Sequence, residues 1–184
     1  MLATSSASLT LRELSTAPQL ELLAQGLIDI AITSTVTSER DIVCHGRWRC
    51  PLVIVLPDND PRSLPGEGDP RALALAAVAS DPFVLFPAAR APDHHAEILA
   101  ACGKAGFIPK VVQEAEGWHS LLSLVAAGLG VTIAPSVVRR LRVPGVRLHP
   151  IAGKGFATSI ALSTRRSQLS EATRSFLELA DFSN

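Results

Sequence analysis

The chain has 184 residues, 17 Lys+Arg against 17 Asp+Glu, and a formal net charge of +0. Hydrophobic residues make up 47% of it and charged residues 18%. This excludes a disordered chain or a solvated charged rod, argues against nucleic-acid binding through bulk basicity, and allows one domain or two small lobes with a real core.

Leu9, Leu11 and Leu14 alternate with Thr10 and Arg12, the pattern of a strand. Thr16 to Gln19 has the spacing of a capping box, in which the Thr16 hydroxyl accepts from a helical amide and Gln19 reaches back. Leu20, Leu23 and Leu27 follow at helical spacing, with Gly26 as the stop, and Ile28–Ile32 reads as a short buried strand. Strand, helix and strand in this order favour parallel pairing with a right-handed crossover. Ile42–Trp48 and Pro51–Pro57 are strand-like. Asp58–Pro70, with Pro61, Pro65, Gly66, Gly68 and Pro70, is a surface connection.

A second series follows. The spacing predicts helices over Arg71–Ala79, Asp93–Ala105, Trp118–Ala127, Ser136–Leu141 and Ser170–Phe182. It predicts strands over Phe83–Phe86, Lys110–Glu114, Val131–Ala134, Val146–His149 and Ser159–Ser163. Repeated strand–helix alternation means α/β architecture, with mostly parallel sheets covered on both faces. The break after Pro57 and the Ala152–Gly155 break divide the chain into two lobes, 1–57 with 155–184 and 58–154. Two crossings between lobes make a hinge with a cleft. Ligands in open α/β sheets sit at the carboxyl ends of strands, where helix N-termini supply free amides.

Most chemical motifs fail on inspection. No Gly-x-Ser-x-Gly elbow occurs, and Gly103-Lys104 lacks the upstream Gly and following hydroxyl of a phosphate loop. Gly128-Leu-Gly130 lacks the third Gly of a dinucleotide fingerprint and reads as a helix stop with a tight entry to a strand. Cys44, Cys50 and Cys102 suit neither a disulfide framework nor a metal site. His94-His95 reads as a solvated helix start, His119-Ser120 as neighbours that face apart, and Arg139, Arg140, Arg142 and Arg147 as a solvated basic face. Neither a cofactor nor a metal is expected, and no enzyme. The longest apolar-leaning stretch is too interrupted for a membrane span. The first residues, Met1-Leu-Ala-Thr-Ser-Ser-Ala-Ser, do not read as a secretion signal, which places the protein in the cytoplasm.

Several segments together resemble one family. Glu13–Leu20 with Leu23–Ile32 is similar to the first-lobe signature of LysR-type transcriptional regulators, and Pro51–Pro57 to their hinge strand. Cys102–Pro109 and Leu124–Pro135 resemble the second lobe, most specifically in Ala127-Gly-Leu-Gly-Val131. The resemblance implies an effector-binding domain of the type 2 periplasmic-binding-protein fold, with a small carboxylate or aromatic acid in the cleft. It implies no direct DNA binding by this chain, which shows no winged helix-turn-helix, and a homo-oligomer in the full-length context. It also implies a first lobe incomplete at its N-terminus, since the family's domain opens with a strand, a loop and a long helix before the strand at Leu9.

The resemblance carries a few residues over. Ser15 and Thr16 match the strand-to-helix turn that contacts effector carboxylates, with Gln19 beside them. Thr33 and Ser34 follow the Ile28–Ile32 strand, where some members carry Arg and this chain carries hydroxyls. Phe86, Pro87 and Ala88 end a second-lobe strand; Trp118 is placed to stack on an aromatic ligand, and Thr132 is a further contact. Three other classes share part of this pattern. A solute-binding protein shares the cleft but needs an export signal. An enzyme needs a nucleophile–base pair, and none is visible. A truncated, dominant-negative partner of a full-length regulator would form dimers without DNA affinity.

Overall fold

The computed structural model describes residues 8–34, 41–63, 71–167 and 169–180. The chain divides into two compact units, Met1–Arg49 with Ser159–Asn184, and Cys50–Thr158. The elements are α1 (Thr16–Gln25), β1 (Ile30–Thr33), β2 (Ile42–Pro57), β3 (Pro82–Leu85), α2 (Pro92–Lys104), β4 (Lys110–Glu114), α3 (Trp118–Ala126), β5 (Thr132–Pro135), β6 (Val146–Pro150), β7 (Ala157–Arg165) and α4 (Glu171–Leu179). Short 3₁₀ turns occupy Pro61–Ser63, Leu75–Val78 and Ser136–Leu141.

In the first unit, α1 ends at Gly26, whose φ of 74° is left-handed and suits a residue without Cβ. Leu23, Ala31 and Ile42 are buried together, with Leu20 and Ile28 against them. Leu27 lies past this turn and faces out at 61% exposure. β1 pairs antiparallel with β7, Ile30 opposite Thr164 and Thr33 opposite Ala161. The expected parallel strand–helix–strand unit is therefore corrected: residues 8–15 carry no regular secondary structure, and no described strand pairs with them. An alternating sequence becomes a strand only when a neighbour takes its backbone groups. In the sheet order β7 lies between β1 and β2. Near that junction His45 Nε2 stands 2.7 Å from the Thr164 hydroxyl, which itself donates to the Arg165 carbonyl. At α4 Ser170 caps the helix, its hydroxyl accepting from the Thr173 amide. The predicted continuation of that helix over 181–182 lies outside the described residues.

In the second unit β2 pairs antiparallel with β5 on one side and with β6 on the other. β3 pairs parallel with β4, and parallel bonds join it to Val131 at the entry to β5. Thus β3, β4, β5 and β6 run one way, and β2 alone opposes them. Alternation along β2 feeds two cores. Leu52, Ile54 and Leu56 pack with Phe83, Ile98 and Cys102 on one face. Val53 and Val55 pack with Val84, Leu121, Leu122 and Val125 on the other. So α2 covers one face and α3 the other. β4 is fully exposed and carries Lys110, Gln113 and Glu114, polar residues that discourage edge pairing.

Three expectations need correcting here. Arg71–Ala79 forms only the 3₁₀ turn, because Leu73 is drawn into sheet pairing with Ile151 through bonds to Pro150 O and from Ala152 N. Ser136–Leu141 is 3₁₀ rather than α, and the Ser136 side chain caps nothing. The segments 42–48 and 51–57 form one strand, and the units divide inside it, at 49/50, and inside β7, at 158/159. Cys50 and Leu52–Leu56 are buried in the second unit's cores, so packing rather than composition places the boundary. Part of the Asp58–Pro70 connection, 64–70, lies outside the described residues.

Candidate functional site

In the first unit, the sequence-predicted residues gather where α1 begins and β1 ends. Ser15 is the N-cap in extended conformation, but no side chain caps the helix. The expected capping box does not form, since the third helical residue is Pro18, which has no amide to donate. Thr16 lies inside the helix, and its Oγ1 stands 3.3 Å from Ser34 Oγ. Gln19 does not fold back to the cap; it donates from Nε2 to the Leu14 carbonyl at 2.8 Å and accepts from the Ile32 amide at 3.0 Å. Thr33 is buried. The first turn of α1 contains no acidic residue, so its amide ends present unneutralised positive potential. A groove of about 370 Å³ runs along Ala17, Leu20, Glu21, Ala24 and Gln25, on α1 but outside this set.

In the second unit, Phe86 leaves the carboxyl end of β3 and Trp118 opens α3. Their rings stand 4.8 Å apart and nearly perpendicular, at 78°. His94, in the first turn of α2, completes a cluster at 5.8 Å from Phe86 and 5.3 Å from Trp118. The solvated-start reading of His94 is thus corrected: its side chain is only 15% exposed and lies 3.9 Å from Glu97. Its neighbour His95 places Nδ1 3.1 Å from the Phe86 carbonyl. Pro87 is half-buried and accepts at its carbonyl from the Arg90 and Ala91 amides; Ala88 is exposed. Thr132 lies apart from this set. It begins β5, at the opposite end from the strand's carboxyl terminus, and it is 1% exposed with a hydroxyl that has no hydrogen-bond partner.

Sequence reasoning missed two features. Ser136, just past the carboxyl end of β5, stands 3.6 Å from the buried Cys50 thiol; its position after Pro135 was the available signal. Ser63 and His149 also form a hydroxyl–imidazole pair at 3.2 Å. His149 Nδ1 faces the Arg71 carbonyl at 3.1 Å, so the proton sits there and Nε2 accepts from Ser63. Both residues are buried, Ser63 at 0% and His149 at 2%, and the imidazole clamps Ser63 to the Arg71 carbonyl. Among the described residues no His, Cys, Asp and Glu cluster could hold a metal ion, and no helix is long and apolar enough to cross a membrane.

The LysR substrate binding domain family model matches residues 5–181. This chain belongs to that family. Its fold is the periplasmic-binding-protein-like fold of LysR effector-binding domains. It is 31% identical over 173 residues to the HTH-type transcriptional regulator CatR of Pseudomonas putida, covering 93% of this chain and 57% of that protein. The chain thus spans little more than half of that relative. Among solved structures, the BenM effector binding domain with its effector benzoate superposes with TM-score 0.73 at 20% identity, over 94% of this chain and 80% of that one. The effector binding domain of QuiR in complex with shikimate gives 0.72 at 21%, over 89% and 75%. At these identities the structures show the fold alone. The matched relatives are regulators, and the LysR domain is their effector-binding part.

Proposed function

We propose that this chain senses a small organic acid for a transcriptional regulator. The Thr16–Ser34 hydroxyl pair, at the unneutralised N-terminal turn of α1, carries this reading. Hydroxyl donors and free helix amides together suit a carboxylate. The second unit carries its own candidate set, Phe86, Pro87, Ala88 and Trp118, whose rings and apolar surfaces suit an aromatic or cyclic group. Ser15 and Gln19 support the first set from either side of Thr16. Thr33 is buried beside Ser34, and Thr132, buried at the start of β5, has no part in either contact set. The effector acts by differential affinity for two states of the full-length assembly, as a population shift.

Support from other proteins is chemical: the BenM and QuiR domains hold benzoate and shikimate, both carboxylates. Calorimetric titration of the chain with these two acids tests the reading. Binding of at least one is expected, weakened about tenfold or more by Thr16→Ala, as loss of a charge-assisted hydrogen bond implies. Trp118→Ala is expected to weaken it too. Equal binding by both variants, or equal binding of benzoate and neutral benzamide, would overturn it.

A further inference from the structure

In the second unit the first turn of α2 grips Phe86 twice. His95 takes its backbone, donating from Nδ1 to the Phe86 carbonyl at 3.1 Å. His94 takes its side chain, ring to ring at 5.8 Å. The His94 ring also stands 5.3 Å from Trp118, which in turn stands 4.8 Å from Phe86. The three pairs cross at 70° to 79°, so the rings close a triangle of edge contacts. Phe86 and Trp118 are half-buried and pack against the core that contains Leu121 and Leu122.

The one imidazole of that triangle has hydrogen-bonding capacity to spare. Its Nδ1 lies 3.9 Å from Glu97 Oε2, too far for a hydrogen bond. The carboxylate nevertheless favours the tautomer with its proton on Nδ1, which leaves the lone pair on Nε2. Among the described residues no hydrogen bond reaches this ring. Nor is Nε2 sealed in: among the described residues, Thr132 Oγ1 is the polar side-chain atom that is shut off from solvent without a partner. The corner is an apolar wall with one open acceptor on it. A flat ring laid on Phe86 and Trp118 meets that acceptor best if it carries an O–H donor. A ring without one would cover Nε2 and leave it without a partner, which is how a polar site rejects the analogue that lacks the matching group.

We propose that His94 is a specificity-determining residue of this corner, accepting at Nε2 from a hydroxyl on an aromatic ligand. The ligand class is therefore a hydroxylated aromatic compound. The inference rests on the second candidate set of the effector reading and makes no use of the Thr16–Ser34 pair.

Calorimetric titration of the 184-residue chain at mildly alkaline pH, where the imidazole is neutral, tests it. The ligands are benzoate, meta- and para-hydroxybenzoate and the methyl ethers of those two. At least one hydroxybenzoate is expected to bind about three- to tenfold tighter than benzoate and than its own ether, the worth of one hydrogen bond. His94→Phe keeps a ring in the triangle but removes the acceptor, and is expected to erase that preference. The same series run with the neutral benzamides separates the two readings. Amides that bind as tightly as the acids and keep the hydroxyl preference support the role of His94 while the acid reading falls. Acids that bind without a hydroxyl preference overturn the role of His94 and leave the acid reading standing. A further measurement needs no variant: the His94 Nε2 resonance of the parent chain is expected to shift with the preferred hydroxybenzoate and not with benzoate. Failure of every compound to bind, a preference kept in His94→Phe, or an unmoved Nε2 resonance would each overturn the proposal.

Discussion

Gly130 lies so close to Pro82 that a Cβ at position 130 would stand 2.6 Å from the Pro82 carbonyl oxygen. The approach has a purpose: the next residue, Val131, donates to that same oxygen at 2.8 Å, and this bond helps tie β3 to the entry of β5.

Gly130→Ala is therefore expected to destabilise the chain by about 1–3 kcal/mol, the usual cost of overpacking a site that cannot yield. The clash is with backbone rather than with the far end of a flexible side chain. Gly103 provides the contrast. It lies within α2, has an ordinary φ, and has nothing within 4 Å of an added Cβ. Gly103→Ala is expected to stabilise by about 0.4–1 kcal/mol through the unfolded chain. Urea midpoints of the two variants, read against the parent, check the sign of each.

Acid sensitivity should report on Asp60. The Arg62 guanidinium, donating to its side chain, holds the Asp60 carboxyl below its ordinary 3.8, against an opposing push from partial burial. Arg62 bonds to both Asp60, at 2.7 Å, and Asp81, at 2.6 Å, so the carboxylate is held in a fixed fork. The unfolded chain then takes up this proton at a higher pH than the folded one. The contribution is fully present above the ordinary value and is lost as pH falls through the lowered folded value. Asp60→Asn is expected to flatten the stability–pH curve in that acid window and to leave its shape at neutral pH unchanged. Chemical denaturation across a pH series measures this.

The cysteines should differ sharply in reactivity. Burial pushes the Cys102 thiol up to about 11 from an ordinary 9.0, and its side chain packs in the core that contains Phe83 and Ile98. Cys44 is half-buried. A disulfide exchange reagent at mildly alkaline pH is expected to modify Cys44 in the folded chain and to reach Cys102 only on unfolding. The same burial has a thermodynamic consequence. Its stabilising effect is complete below the ordinary pKa and is lost as pH rises through the folded value, so stability falls from about pH 9 toward about pH 11. Cys102→Ala is expected to remove that alkaline slope.

Much of this fold is written in local patterns. Pro92 with Asp93 opens α2 and Lys104 closes it, and the unbroken apolar run from Leu52 to Leu56 announces a strand buried on both faces. Where the reading failed, a non-local partner decided. Leu9 and Leu11 read as a strand but have no described neighbour to pair with. Leu73 sits in a helical pattern but is taken by Ile151 across the sheet. The placement of the candidate residues on the elements was legible to the same extent. Phe86 and Trp118 stand at a strand end and a helix start, as their positions in sequence implied. His94 joins them only because the β3–α2 and β4–α3 turns bring the two helix starts together, which no spacing in one segment reveals. The role of Gln19 was also hidden, since its partners lie 5 and 13 residues away in opposite directions.

One imidazole grips the chain at both residue 63 and residue 71, through the Ser63 hydroxyl and the Arg71 carbonyl. Because His149 stands opposite Ile54 in the β2–β6 ladder, these two ties hang from the buried sheet of the second unit rather than from its surface. Losing the imidazole would therefore release residues 63 and 71 together while leaving the strand pairing in place.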